Sequence, residues 1–290
     1  MRNFFLISTD HLEDSLWFKD NDDFKVGMNM VAVQASLSDI FILAFILMSN
    51  HVHFIVYGTK EEAKEFIKRY KARYSQYYCR KWGVKEFLRL NYADVKLVPD
   101  TPDTLERAIA YVLMNCVAAK ICSYPTQYPW GCGRCFFNAD SIRNCRRVKD
   151  FSKRALAKLL HSDVNGLPGE WIISDSGYVL PESYIQVDQV ERLFRTPNRL
   201  DYFLRTSSKA KKVLEMSEET MPSFKDQIIL SAVPDLCQSL FQKYGFNDLN
   251  ESERTEVLRQ LKYRFSASPN QLSRVCGLTY AETARLLDKY

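Results

Sequence analysis

The chain has 290 residues, of which 46% are hydrophobic and 26% charged, enough apolar material for a buried core and too much for an intrinsically disordered chain. A net charge of +5 and a pI near 8.7 are compatible with a nucleic-acid partner without requiring one. The longest apolar run, Ile40 to Met48, is too short to span a bilayer, and Met1 to Phe5 do not open a signal peptide. A cytoplasmic chain is therefore expected, with its 8 cysteines as reduced thiols.

In chain order, Phe4 to Ser8 reads as a first strand and Asp10 to Asp23 as polar, turn-rich chain. Met28 to Leu37 admits either a short helix or a strand. Ile42 to Met48 is a buried-strand run, followed by Ser49-Asn50 and a second apolar run, His51 to Tyr57, which together predict a hairpin. Thr59 is placed to cap a helix whose first turn holds Glu61 and Glu62. Ala63, Ile67, Tyr70, Tyr74 and Tyr77 carry its apolar period to about Lys81, and Gly83 ends it. Asp94 to Val98 alternates as a strand. Thr101-Pro102-Asp103-Thr104 predicts a helix with proline at its first position, running to about Lys120. Strand, hairpin, helix, strand and helix make an α+β fold with helices on a largely antiparallel sheet.

Tyr124 to Gly131 breaks the pattern and is expected to wrap the surface. Beyond Asp140 lies a basic stretch with Arg143, Arg146, Arg147, Lys149, Lys153 and Arg154, and the remainder is mainly helical. One small hairpin is expected from Trp171-Ile172-Ile173 through Asp175-Ser176-Gly177 to Tyr178-Val179-Leu180. These shifts divide the chain into residues 1–145 and a mainly helical domain, 146–290.

The histidines are His11, His51, His53 and His161. On a strand, residues two apart share a face, so His51 and His53 can present two imidazoles to one divalent ion while Val52 faces the core. Taken alone the pair reads equally well as surface histidines. The polar Ser49-Asn50-His51 inside an otherwise buried run calls for a further reason. Tyr111 and Asn115 lie four apart, on one helix face, with Ile109, Leu113 and Val117 on the packing side. A tyrosine can attack a phosphodiester and hold it as a phosphotyrosine, and a side-chain amide one turn away can donate its oxygen to a metal. With 16 tyrosines in the chain, spacing alone does not single out Tyr111.

Met48-Ser49-Asn50-His51-Val52-His53-Phe54-Ile55-Val56 resembles the HUH motif of single-tyrosine transposases, the insertion-sequence 200-like group that includes the REP-associated tyrosine transposases. Tyr111-Val112-Leu113-Met114-Asn115 resembles their nucleophile helix, and Tyr128-Pro129-Trp130 their aromatic-Pro-Trp segment. The resemblance covers about the first 140 residues. It implies a ferredoxin-like fold, a Mg²⁺ or Mn²⁺ ion on His51 and His53 with Asn115 as third ligand, and cleavage of single-stranded DNA near a hairpin through a 5′-phosphotyrosine on Tyr111. It leaves monomer and homodimer both open. Two features depart from the family: Asn115 is followed by Cys116 where proline is usual, and no Gly-Arg-Phe-like segment is evident around Phe87 to Tyr92.

Arg69, Arg73, Gln76 and Arg80 form a polar stripe suited to phosphates, or an ordinary solvated face. At the C-terminus, Ser268-Pro269 and Thr279-Tyr280-Ala281-Glu282 open two helices separated by Gly277. This helix-turn-helix-like stretch, 268–288, would set Tyr280, Thr283 and Arg285 near DNA. A plain helical hairpin fits it equally well. Cys132-Gly133-Arg134-Cys135 with Cys122 and Cys145 allows a zinc site, but the second CxxC of a zinc ribbon is missing and free thiols are favoured. The favoured function is a transposase-like endonuclease. The alternatives are a catalytically inactive, sequence-specific DNA-binding regulator and, more weakly, a metal-dependent hydrolase of small phosphoesters.

Overall fold

The computed structural model describes residues 1–9, 15–88, 93–99, 101, 103–138, 145–162, 166–207, 226–265 and 267–288. His11, Pro102 and Arg143, singled out above, lie outside the described residues.

The N-terminal half follows the order β1 (Asn3–Ser8), α1 (Asn21–Ser36), β2 (Phe41–Leu47), β3 (Val52–Gly58), α2 (Lys60–Trp82) and β4 (Asp94–Leu97). The strands form one antiparallel sheet in the order β2-β3-β1-β4. This βαββαβ order with a central β3-β1 pair is the ferredoxin-like arrangement. α1 begins earlier than the apolar pattern suggested. Asp20 accepts from the Asp23 amide at 2.8 Å and caps the helix, and nearly every residue from Asp23 to Gln34 is buried. A helix enclosed almost all round shows no clear amphipathic period. α2 has the expected ends: Thr59 and Glu62 form a reciprocal capping box, and Gly83 takes the left-handed conformation at φ 67°.

α1 and α2 pack on one face of the sheet. Phe54 of β3 meets Phe66 and Tyr70 of α2 edge-on, and Phe18 lies against Tyr74. Tyr70, Tyr74 and Tyr78 are buried, so these tyrosines build the core, and burial pushes their phenols well above the usual range. The opposite face receives α3 (Thr104–Leu113), which packs on β2 and β3. The helix expected from Thr101 to Lys120 is therefore shorter and interrupted. It starts at Thr104, flanked by Asp103 in a left-handed conformation, breaks at Met114, and resumes as the single turn α4 (Asn115–Ala118).

The outer edge of β2 does not lie open. The Leu47 amide donates to the Trp130 carbonyl at 2.8 Å, Ile46 bridges Gly131, and the Cys132 amide donates to Phe45 at 3.2 Å. Trp130 stacks on Phe24 with ring centres 5.0 Å apart, and Tyr128 donates to the Leu47 carbonyl at 2.7 Å. The segment expected to wrap the surface is thus a buried edge cover. Its path leaves no room for a side chain at Gly133, where a Cβ would fall 2.7 Å from the Pro125 carbonyl oxygen. Gly133→Ala is expected to destabilise the fold by about 1–3 kcal/mol, read as a lowered thermal midpoint. An unchanged midpoint would contradict this packing.

The small hairpin forms as expected, with Ile173 bridging Val179, and β6 (Ile172–Ile173) pairs in addition with β5 (Arg146–Arg147). α5 (Lys153–Leu160), α6 (Val187–Phe194) and α7 (Pro197–Thr206) share one continuous core with the sheet, which extends to Leu204. A second core unites α8 (Asp226–Phe241), α9 (Glu251–Phe265), α10 (Pro269–Cys276) and α11 (Tyr280–Asp288), and it takes in Leu16 from the N-terminal segment. The division between cores falls between Leu204 and Ile229 rather than near residue 145, because the small β5-β6 sheet and α5 to α7 bury their apolar faces against the first unit. None of the described helices is long and apolar enough to cross a membrane.

Candidate active site

Because β3 alternates its side chains, Phe54 toward α2 means His53 toward the other face. There it meets Tyr111 of α3, edge-on, with ring centres 5.7 Å apart. His51 lies one residue before β3, in the hairpin connection rather than in the strand. The turn closes through a 2.8 Å bond from the Met48 amide to the His51 carbonyl. This position still brings its ring to 5.0 Å from that of His53, at an interplanar angle of 84°. His51 Nδ1 lies 3.0 Å from Asn50 Oδ1. A carboxamide oxygen accepts, so this contact suits a ring that presents Nδ1–H to Asn50.

The separation of the two imidazoles is within the range that one divalent ion can bridge. With nitrogen–metal distances of about 2.0–2.1 Å, ring centres 5.0 Å apart correspond to an N–metal–N angle of about 100°. Among the described residues no group of three or more His, Cys, Asp or Glu side chains gathers as a metal site. Asn115 lies one helical turn beyond Tyr111. Its Nδ2 donates to the Tyr111 and Val112 carbonyls at 3.0 and 3.1 Å, tying the side chain across the break at Met114. The buried amide thus satisfies carbonyls left open at the end of α3 and fixes Asn115 beside Tyr111.

α3 is held in place from its outer side. Arg199 of α7 pairs with Asp103 at 2.8 Å and with the buried Glu106 at 3.2 Å. Leu113 and Ile109 fill the space against the sheet, as their spacing suggested, and Val117 is half-buried.

The residues predicted to contact nucleic acid do not converge on this pair. Arg69, Arg73 and Arg80 lie on α2, across the sheet from His53 and Tyr111. Arg69 is bound to Glu65 at 2.8 Å. Arg73 donates to Ser162 at 2.9 Å and, with Arg80, lines a groove of about 1500 Å³ between α1, α2 and α5. Lys25, Lys158 and His161 also face the groove. Burial, followed by the Arg80 and Lys81 charges, lowers the His161 pKa. In the C-terminal unit, the helix–Gly277–helix geometry and the Ser268 and Thr279 caps form as expected. Thr283, however, is fully buried and bonds the Thr279 carbonyl at 3.0 Å, which takes it away from any DNA surface. Arg285 pairs with Glu251 at 2.7 Å, whereas Tyr280 is exposed. The CxxC thiols are packed rather than gathered: Cys132 receives the Phe45 amide at 3.1 Å, and burial pushes its thiol up to about 12.

Two residues absent from the sequence-based site belong to its surroundings. Asn50 orients His51, which its adjacency in the motif could have signalled. Asp226 reaches Ser49 from 177 residues away, and no local pattern foreshadows that contact.

No family model matches the chain, and no curated protein does. Among solved structures, the chain is similar to a REP-associated tyrosine transposase bound to a REP hairpin, with 13% identity over 46% of this chain and 76% of that chain, at a TM-score of 0.33. A likeness of that degree carries no argument about function.

Proposed function

We propose that the chain is a divalent-metal-dependent, transposase-like endonuclease that cleaves and rejoins single-stranded DNA near hairpins. The observation that carries this reading is the convergence of His51, His53 and Tyr111 on one sheet face, with Asn115 fixed one turn beyond the tyrosine. The Tyr111 hydroxyl attacks the phosphorus of a phosphodiester. The bond to the 3′ oxygen breaks, that oxygen leaves with a proton as a 3′-hydroxyl, and the 5′-phosphate remains on the tyrosine. Attack by a 3′-hydroxyl on the phosphotyrosine reverses the step and rejoins DNA without a high-energy cofactor. His51 and His53, with the Asn115 carboxamide oxygen as third donor, would hold a Mg²⁺ or Mn²⁺ ion, which would supply stabilisation of the charge that develops on the phosphate.

The direct test incubates the chain with labelled single-stranded hairpin DNA drawn from sequence flanking its gene, in Mn²⁺, followed by a denaturing gel. Cleavage with a protein-linked strand is expected. Retarded DNA without cleavage under any divalent metal would replace this reading with that of a DNA-binding regulator.

The groove that Arg73 and Arg80 line adds an expectation about binding. A phosphate backbone following it gains two contacts on the helical face, remote from Tyr111. Arg73→Ala combined with Arg80→Ala is expected to weaken single-strand binding and to make the slope of log K against log salt shallower by about 1.4. An unchanged slope in a salt titration would leave this face as an ordinary solvated surface.

A further inference from the structure

Ser49 is buried in the turn that leads into Asn50 and His51, and its hydroxyl and carbonyl are both held from outside the hairpin. Its hydroxyl donates to Asp226 Oδ2 at 2.7 Å. Its carbonyl accepts from the Trp17 and Phe18 amides at 2.8 and 3.0 Å. The Phe18 carbonyl in turn accepts from Gln227 Nε2 at 2.7 Å. The first two residues of α8 therefore grip Ser49 by two routes, one direct and one through the 17–18 segment. Asp226 is itself fixed by α10: Gln271 Nε2 lies 3.0 Å from Oδ1, and Arg274 lies 3.2 Å from Oδ2. The carboxylate is 5% exposed.

A carboxylate this enclosed requires bonded partners, and among the described residues these belong to the helix-turn-helix-like unit and to the histidine turn. Leu16, two residues before Phe18, is packed in the core of the same C-terminal unit. The second core is thus joined to the turn by a polar clasp with an apolar contact beside it.

We infer that Asp226 is a positioning residue for the His51 turn, and that the C-terminal four-helix unit completes the candidate active site by clamping Ser49. The clamp fixes the backbone from Met48 to His51. It thereby holds the Asn50 carboxamide against the His51 ring and so the ring's direction. The part of this inference that concerns metal rests on the reading of His51 and His53 as ligands; the mechanical coupling does not.

The test compares wild type, Asp226→Ala and the milder Ser49→Ala in the full chain, by amide hydrogen exchange and by Mn²⁺ titration. Both variants are expected to speed exchange at Met48 to His51 about tenfold or more while leaving the amides of α2 unchanged, since a local clasp and not the global fold is released. At the turn the double variant should add little to Asp226→Ala, because Ser49→Ala removes a bond that Asp226→Ala has already removed. Mn²⁺ affinity should fall by about tenfold to a hundredfold in each. Unchanged exchange at the turn in Ser49→Ala, or equal acceleration throughout the chain in both variants, would overturn the inference. Faster turn exchange in a chain that binds no Mn²⁺ even as wild type would support the clasp and instead remove the metal reading.

Discussion

Tyr111→Phe is expected to abolish strand cleavage and the covalent protein–DNA product, a loss of about a thousandfold or more, while leaving DNA binding within about twofold of wild type. The substitution deletes one oxygen and keeps the ring. The edge-on contact with His53 at 5.7 Å and the apolar seat of α3 on β2 and β3 depend on the ring, so they survive. The Asn115 bond to the Tyr111 carbonyl survives as well, since it involves backbone. With the ring packing kept, stability should shift by about 1 kcal/mol or less. A thermal melt, a binding titration and a denaturing gel on the same preparation separate these quantities. Retained cleavage in Tyr111→Phe would assign the nucleophile elsewhere.

His53→Ala carries the second large effect. His53 is fully buried against Tyr111, and its ring centre lies 5.0 Å from that of His51. Removing it takes away one of two imidazole donors and the wall against which Tyr111 rests. Mn²⁺ affinity measured by calorimetry is expected to fall by about a hundredfold or more, and cleavage should not recover at any Mn²⁺ concentration that saturates wild type. His51→Ala should lose metal comparably at a smaller structural cost, because His51 lies in the turn and not inside the sheet. Wild-type Mn²⁺ affinity in His53→Ala would remove the ligand assignment.

Much of the N-terminal fold is legible in the residues because its signals are local. Two apolar runs split by Ser49-Asn50 give the β2-β3 hairpin, and Thr59, Glu62 and Gly83 mark the ends of α2. The hairpin around Gly177 has the same character. α1 was harder to read because a helix enclosed by the sheet, α2 and α5 buries Asn29 and Gln34 along with its apolar residues, which blurs the period. Asn29 is there to serve the neighbouring unit: it bonds the Leu159 and Gly177 carbonyls and the Val179 amide. That same contact explains why a composition change near residue 145 does not mark a division of the core. The break at Met114 is equally invisible locally, since Val112 to Ala119 are all acceptable in a helix.

The candidate site divides along the same line. His51, His53, Tyr111 and Asn115 are visible as spacings and motif resemblance, and the fold brings their neighbourhoods together. Which side of the sheet α2 covers is a tertiary fact, and it separates Arg73 and Arg80 from Tyr111. Thr283 looked equivalent to Tyr280 and Arg285 on its helix, yet packing turned it inward. The Asp226–Ser49 clasp joins residues too far apart in the chain for any pattern to link them.

Peptide mapping of the cleavage product shows whether Tyr111 carries the covalent bond to DNA phosphate. Wild-type protein incubated with flanking-sequence hairpin DNA and Mn²⁺ is digested with nuclease and trypsin and analysed by mass spectrometry. The fragment from Ala108 to Lys120 contains Tyr111 as its single tyrosine. A nucleotide attached to that tyrosine through its 5′-phosphate is the predicted result. A nucleotide on another of the 16 tyrosines, or cleaved DNA with no protein attachment, would contradict the account.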